Sequence, residues 1–268
     1  MSPDALLIRL VSTDAYSVTL WRGALSAMVV FIWLLLAERG AIWSKFRSIG
    51  RVGWLTSLLY PVTALLFILA VKNTAVANVL VIVGAEPLCA AILAALIFKE
   101  KVSGRMWLLG IMIFVGLSIV FWGSLSRDTI FGDLMAFGAM FCVALRYVIF
   151  RGARKVDMAP TVVVGGFVTL IVLLPICDPL AVGQRDLGLL LIMGMVLLPV
   201  AQIMLVAAPR LISAPEIALI VLVEAILAPF WVWLALGEIP PRETVFGGVL
   251  ILGALAVHFF PYLRQARP

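Results

Sequence analysis

Charged residues are scarce in this chain: 13% of its 268 residues are Asp, Glu, Lys or Arg, whereas a soluble domain carries about 25%. Histidine occurs once and cysteine three times, in spacings that fit neither a metal site nor a disulfide framework. The nucleotide-binding pattern G-x-x-x-x-G-K-[ST] does not occur in the sequence, which excludes ATP as a direct energy source within this chain. We therefore expect no cofactor and no metal.

Long apolar stretches are what the chain has instead, with 64% hydrophobic residues and a mean hydropathy of +1.19. Stretches of about 18 or more such residues cross the hydrocarbon core as helices, so the sequence predicts an all-α polytopic membrane protein. The charges lie in short loops and form no basic stripe, which argues against nucleic acid as a partner. Nine complete spans are predicted, at 16–37, 53–71, 75–97, 105–124, 131–150, 160–177, 187–207, 213–236 and 243–262.

The orientation follows from the loops, because Lys and Arg concentrate on the cytoplasmic side. Thirteen of these residues fall in one set of alternate loops and six in the other, so the C-terminus is expected in the cytoplasm. Residues 3–12 are apolar but too short to cross a bilayer, which needs about 20 residues. We expect this piece to be the second half of a first helix, from a truncated or misplaced start; a genuine nine-helix form is the alternative.

The chain contains an internal repeat at an offset of 138 residues. Aligning 73–122 with 211–260 gives ten identities in fifty positions, among them Glu86 with Glu224 and Gly110 with Gly248. The two copies enter the membrane from opposite sides, which makes this an inverted-topology repeat, a common construction in transporters. We predict two units, residues 1–127 and residues 128–268.

The two repeat segments read AEPLCAAILAALIFKE and VEAILAPFWVWLALGE, each followed by a short loop and a glycine-bearing helix. This pattern resembles the EamA family of the drug/metabolite transporter (DMT) superfamily. The resemblance implies a ten-helix fold of two inverted five-helix repeats, here with the first helix shortened, and a role in exporting small metabolites such as amino acids or related amphipathic compounds. It also implies a bacterial cytoplasmic (inner) membrane location.

Glu86 is the first candidate for a functional residue, because it lies near the middle of the span 75–97 and an intramembrane carboxylate is a functional residue by default. Pro87 removes a backbone donor there, so we expect a broken helix. Asn78 shares the helical face of Glu86 at i and i+8 and joins the candidate lining. The alternative is a protonated Glu86 that hydrogen-bonds between helices and serves packing. Glu224 has the same depth by symmetry and the same two interpretations.

Five further polar residues lie on apolar spans or at their ends. Arg22 and Arg146 either reach the interface with their charge in water or face the cavity and pair with a carboxylate. Tyr60 and Gln202 either hydrogen-bond a ligand or link helices. Glu238, at a helix end, is expected to form a salt bridge to a neighbouring loop, with a gate as the alternative.

Three classes of function are open to such a chain. A membrane enzyme would need a His/Asp or metal-ligand cluster near an interface. The sequence lacks such a cluster, so we expect that this protein is not an enzyme. A channel or a non-transporting membrane protein would favour rings of polar residues from an oligomer. A secondary transporter fits the repeat and its paired carboxylates.

Several properties of such a transporter remain open. The direction of transport is either export or uptake, the coupling ion is a proton or another ion, and the protein is either a monomer or a homodimer. The expected cavity lies between spans 53–71, 75–97, 187–207 and 213–236.

Overall fold

The computed structural model describes residues 3–38, 42–99, 104–125, 128–152, 159–211, 223 and 227–265, and in these residues it contains helices and turns but no strand. Six helices of this part are long and apolar enough to cross a bilayer. The predicted all-α polytopic membrane fold is confirmed. The helices are α1 (Asp4–Leu10), α2 (Ala15–Glu38), α3 (Ile42–Ser48), α4 (Gly50–Asn73), α5 (Val76–Gly84), α6 (Glu86–Phe98), α7 (Gly104–Leu125), α8 (Ile130–Gly152), α9 (Ala159–Leu173), α10 (Gln184–Ile192), α11 (Leu198–Leu211), α12 (Leu227–Leu236) and α13 (Arg242–Gln265), with a π-helical turn at Met193–Leu197 between α10 and α11.

Large apolar side chains cover much of the outer surface of the bundle. Leu96, Phe114 and Trp122 are each more than 70% exposed, and many other large apolar side chains of the same helices are more than 40% exposed. A soluble monomer rarely exposes apolar patches of this extent. In a bilayer these faces contact lipid tails, so the exposed surface agrees with the composition of the chain.

Three features of the helices differ from the predicted spans. The span predicted at 160–177 ends at Leu173, because Pro175 has no N–H and disfavours helical geometry in the residue before it. The span predicted at 187–207 contains the π-helical turn. The predicted loop between the first two spans contains α3, whose Ile42 is buried in a small cluster with Val30 and Leu34 of α2.

Close helix packing holds the bundle together. α2 packs on α9, α4 on α8 and α9, and α7 on α13. The α7–α13 crossing depends on two glycines: a Cβ on Gly247 would lie 2.6 Å from the carbonyl oxygen of Gly116, and a Cβ on Gly116 would lie 2.6 Å from Ile251 Cγ1. Only hydrogen at these two positions lets the backbones approach so closely.

One end of the bundle carries the connections 11–14, 74–75 and 237–241. By the distribution of Lys and Arg this is the predicted outer end. α1 lies beside α4 at this end and buries Ala5 and Ile8 in the main core. The short first helix is therefore a packed element of the fold rather than a loose extension.

Candidate functional site

The third long span is broken in its middle, beside Glu86. α5 ends at Gly84, Ala85 forms a turn, and α6 starts at Glu86 with Pro87 in its first turn. Proline suits this position because a first-turn N–H has no partner within its helix. Glu86 is half-buried at the N-terminal end of α6, where the helix dipole favours a negative charge. The expected break is present, and it places a carboxylate about 15 Å from the outer end of the span, given a rise of 1.5 Å per residue.

A chain of hydrogen bonds links three helices near the middle of the bundle. The Ser26 hydroxyl of α2 donates to Gln202 Oε1 of α11 at 3.1 Å, and Gln202 Nε2 donates to the Tyr60 hydroxyl of α4 at 2.5 Å. Ser26 and Tyr60 are buried and Gln202 is half-buried. Tyr60 and Gln202 thus form an interhelical link between the first predicted repeat and the second. Ser26 was not among the residues that the sequence predicts, because a lone serine on an apolar helix carries no signal.

Arg146 joins this chain through its guanidinium plane. The Cζ atom of Arg146 lies 5.3 Å from the centre of the Tyr60 ring and 5.8 Å from that of Phe150, within the range of cation–π contact. Its Nε is buried and has no hydrogen-bond partner among the described residues. Glu86 lies within electrostatic range of Arg146. We call Ser26, Tyr60, Arg146 and Gln202 the central cluster.

Arg22 is buried and paired. Its Nη2 lies 2.6 Å from Asp4 Oδ2, and the two side chains are 6% and 7% exposed. The interpretation in which Arg22 reaches the interface is therefore wrong for this structure. The guanidinium pairs with a carboxylate of another helix, one turn along α2 from Ser26. Asp4 is the first residue of the short first helix, and the sequence alone assigns it no role because its depth in the membrane cannot be judged there.

Asn78 lies in a second, fully buried polar network at the predicted outer end. The carboxylate of Asp133 accepts hydrogen bonds from Thr74 at 2.7 Å, from Asn78 at 3.2 Å and from Ser124, and Thr244 donates to Asn78 Oδ1. All five side chains are at most 2% exposed. We call these five residues the Asp133 network. The structure places Asn78 in it, with its amide engaged by protein groups.

Helix geometry explains how a buried carboxylate is stabilised there. Asp133 lies in the first turn of α8, Asn78 in that of α5 and Thr244 in that of α13. Three positive helix ends therefore converge on one negative charge. Gly132 permits the approach, since a Cβ there would lie 2.7 Å from the backbone of Thr74.

Two more carboxylates of the second predicted repeat bind the first at this end. Asp186 Oδ2 accepts four hydrogen bonds of 2.7 to 3.0 Å from the N–H and hydroxyl groups of Ser12 and Thr13. Glu238 Oε2 lies 3.3 Å from Arg9 Nε, and Glu238 Oε1 accepts a hydrogen bond of 3.0 Å from the N–H of Val76. The salt bridge expected of Glu238 is therefore present, but its partner Arg9 lies in the helix α1 and not in a loop. With Asp133, these groups join the predicted repeats across the outer end.

Arg9 also stabilises the corner between α4 and α5. Its Nη1 donates to the carbonyl oxygen of Val71 at 2.8 Å, at the C-terminal end of α4, while Glu238 binds the first residue of α5. A cation at a helix C-terminus and an anion at a helix N-terminus are both favoured by the helix dipoles. One ion pair thus caps two helices at once.

The structure brings together Tyr60, Arg146 and Gln202 of the predicted site, with Glu86 in electrostatic range of Arg146. It pairs Arg22 with Asp4 and places Asn78 elsewhere. Glu224 lies outside the described residues. So does Glu100, the residue that aligns with Glu238 in the sequence repeat. Among the described residues no group of three or more His, Cys, Asp or Glu side chains could hold a metal ion.

Comparison with known proteins gives three findings about this chain. The sequence model of the EamA-like transporter family matches residues 5–122 and again residues 130–260. No curated protein matches the sequence. Among solved structures the fold is similar to a chain described only as "Crystal structure of protein", with a TM-score of 0.66 and 14% sequence identity over 99% of this chain and 96% of that one. At this identity the similarity shows the fold alone.

Proposed function

Because the chain belongs to the EamA-like transporter family, we propose that this membrane transporter exports small metabolites, amino acids or related amphipathic compounds, from the bacterial cytoplasm. The matched segments, residues 5–122 and 130–260, support division into two repeats near residue 127. The C-terminus lies on the cytoplasmic side, as the Lys and Arg distribution favours. Export as the direction rests on the resemblance to the family.

The observation that carries the proposal is the central cluster. It takes two side chains from the first repeat, Ser26 and Tyr60, and two from the second, Arg146 and Gln202. Polar groups in hydrocarbon are expensive and mark the path of a substrate, and repeat interfaces near the midplane are where such paths lie. Glu86, at the break between α5 and α6, completes the polar surroundings of this cluster.

The mechanism we propose is alternating access, in which the two repeats rock about the central cluster. Moving to an outward-open state separates the repeats at the outer end. It therefore breaks the contacts of Asp133, Asp186 and Glu238 with the first repeat. Each of these carboxylates becomes hydrated as the end opens, so water takes over the lost hydrogen bonds.

The test is mass-spectrometric profiling of the medium of cells that express the wild type, Glu86→Gln, Gln202→Leu and a control, Ser118→Ala. Ser118 lies on α7 with its exposed side chain bonded to its own helix, so its loss leaves the cluster intact. We expect a metabolite released by wild type and control and lost in both cluster variants at equal membrane expression.

Other outcomes separate the alternatives. Depletion of a solute from the medium by wild type would establish an uptake permease instead. Unchanged release by Glu86→Gln would refute a role of that carboxylate, and no change of any solute with wild type at confirmed expression would overturn the transporter proposal for this chain.

A further inference from the structure

The short helix α3 lies at the end of the bundle opposite to the predicted outer end, between α2 and α4. Its apolar side chains face the bundle: Ile42 is buried against α2, and the centre of the Phe46 ring lies 6.3 Å from that of Phe31 of α2. Ile49, the residue after the helix, is also buried. These contacts hold one side of α3 on the bundle, so its other side faces outward.

A cleft of about 430 Å³ opens on the outward side of α3, and it is lined by Trp43, Ser44, Arg47 and Ser48. These positions are spaced i, i+1, i+4 and i+5, so they share one face of the helix. All four residues are exposed, Trp43 by 77%. The volume lies within the range of about 300–1,000 Å³ that is typical of small-molecule sites. A ligand reaches this α3 cleft directly from the surface, without a path through the bundle.

The α3 cleft carries a positive charge that the surrounding protein does not balance. Arg47 forms no ion pair with any residue that the structure describes, and residues 42–60 contain Lys45 and Arg51 but no Asp or Glu. The Ser48 hydroxyl donates a hydrogen bond of 2.7 Å to the carbonyl oxygen of Lys45. The guanidinium of Arg47 is therefore the charged donor of the cleft, and its planar fork fits the oxygens of a phosphate group.

The tryptophan indicates which phosphate compound fits the cleft. An exposed indole beside basic residues is typical of the membrane–water interface, where tryptophan lies at the level of the lipid head groups. Trp54, near the start of α4, is 56% exposed as well. The distribution of Lys and Arg assigns this end to the cytoplasm, where the leaflet carries anionic lipids. A soluble anion uses only the charge of Arg47, whereas a phospholipid also covers the Trp43 ring.

We infer that the α3 cleft binds the head group of an anionic phospholipid, with Arg47 on the phosphate and Trp43 against the glycerol and the first carbons of the acyl chains. Lys45 and Arg51 add attraction for the negative head group and repel the choline of a zwitterionic lipid. The bound lipid holds α3 at the level of the head groups. This inference goes beyond the proposed function, because it does not depend on which solute the protein moves.

The experiment measures lipid binding to the purified full chain in detergent by native mass spectrometry, with phosphatidylglycerol and phosphatidylcholine in equal amounts. We expect phosphatidylglycerol to be retained at lipid concentrations at which phosphatidylcholine is not. Arg47→Gln weakens this binding at least about ten-fold, as for a lost charge-assisted hydrogen bond, and Arg51→Gln weakens it about five-fold. The control is Arg185→Gln, at an exposed arginine of α10 near the outer end, and it leaves the binding unchanged.

Two further measurements distinguish a lipid from a soluble anion. Trp43→Ala removes the ring that the lipid covers, so we expect it to weaken phosphatidylglycerol binding several-fold. Inorganic phosphate, added at the concentration of the lipid, should leave phosphatidylglycerol bound, because phosphate makes no contact with the indole.

Three results would overturn the inference: equal retention of the two lipids, unchanged phosphatidylglycerol binding by Arg47→Gln, or displacement of the lipid by inorganic phosphate at equal concentration. The last identifies a site for a soluble anion instead. Because Arg47 is exposed, we expect its variant to keep the unfolding temperature of wild type. If it does not, Arg47→Lys, which keeps the charge without the planar fork, gives the same comparison with intermediate affinity. Transport does not enter this test, so the inference can fail while the transporter proposal stands.

Discussion

The Gln202 amide donates a hydrogen bond of 2.5 Å to the hydroxyl of Tyr60, and this bond joins α11 to α4 near the middle of the membrane. Removing the hydroxyl in Tyr60→Phe leaves the amide of Gln202 without its acceptor but keeps the ring under Arg146. We expect a loss of about 1–3 kcal/mol in stability and reduced transport. Thermal unfolding in detergent and metabolite efflux measure the two effects. Tyr16→Phe, at an exposed tyrosine, is the matched control and should change neither.

Substitutions of Arg146 test whether a positive charge alone in the central cluster is enough for transport. Arg146→Lys keeps the positive charge but lacks the plane that lies 5.3 Å from the centre of the Tyr60 ring. We expect transport intermediate between wild type and Arg146→Gln. Equal transport by the lysine variant and wild type would show that stacking on Tyr60 contributes nothing to activity.

The Asp133 network should contribute most to the stability of the outer end. Asp133→Ala removes the acceptor of Thr74, Asn78 and Ser124 together, and we expect it to lower stability by at least about 2 kcal/mol. Asp128→Asn is the control, because this exposed residue before the same helix has a left-handed backbone conformation (φ 57°) that asparagine tolerates. Similar unfolding temperatures for the two variants would contradict the structural role assigned to the network.

The α7–α13 crossing makes a prediction about two glycines of one helix. Gly247→Ala forces a methyl group against the carbonyl oxygen of Gly116, whereas a Cβ at Gly253 would meet no other atom within 4 Å. We expect the first variant to lower the unfolding temperature. The second should leave it unchanged or raise it, since alanine is favoured over glycine in a helix by roughly 0.5–1 kcal/mol. The measurement is the thermal unfolding temperature of both purified variants. Equal unfolding temperatures would mean that α7 and α13 do not pack closely at Gly247.

Asp14 caps α2 and should make its stability depend on pH. Burial raises the pKa of this carboxyl, but hydrogen bonds from Ser17 and Tyr16 and the charge of Lys72 outweigh it and hold the pKa below its ordinary 3.8. The stabilisation is therefore complete above pH 3.8 and is lost as the pH falls through the lower folded value. Asp14→Ala should lose about 1 kcal/mol near neutrality. The difference from wild type should shrink below pH 3.8 when unfolding is followed across the acid range.

The sequence was sufficient to place most of the long helices that the structure describes, because apolar length and loop charge largely determine them. It also predicted the break at Glu86, because proline in a span and a mid-span carboxylate are local signals. Asn78 shows the limit of this reasoning. Its helical face agrees with that of Glu86, yet the partners of a face depend on which helices pack there, and Asp133 lies 55 residues away in the chain.

The residues that were missed share one property. Each is identified as important only by a partner elsewhere in the chain. Ser26 bonds to Gln202, Asp4 to Arg22 and Asp133 to Asn78. A serine or aspartate near a helix end has the same local pattern whether it faces water or a buried arginine. Tyr60, Gln202 and Arg146 could be selected because they are polar in the interior of apolar spans, but only the packing of their three helices shows that they meet.

The π-helical turn at Met193–Leu197 determines where the rest of its helix points. In it the N–H of Leu198 bonds the carbonyl oxygen of Met193, five residues back, so this stretch holds one residue more than an α-helical turn would. Deleting one residue there would restore regular α-helical spacing and leave the residues beyond it on the same face, because the wide turn absorbs its extra residue locally. Deleting one residue between the turn and Gln202 would instead rotate the Gln202 side chain by about 100°, away from Tyr60. The register of the helix, and not only its composition, is thus part of the proposed site, and a single-codon deletion beyond the turn would disrupt that site while leaving a full-length span.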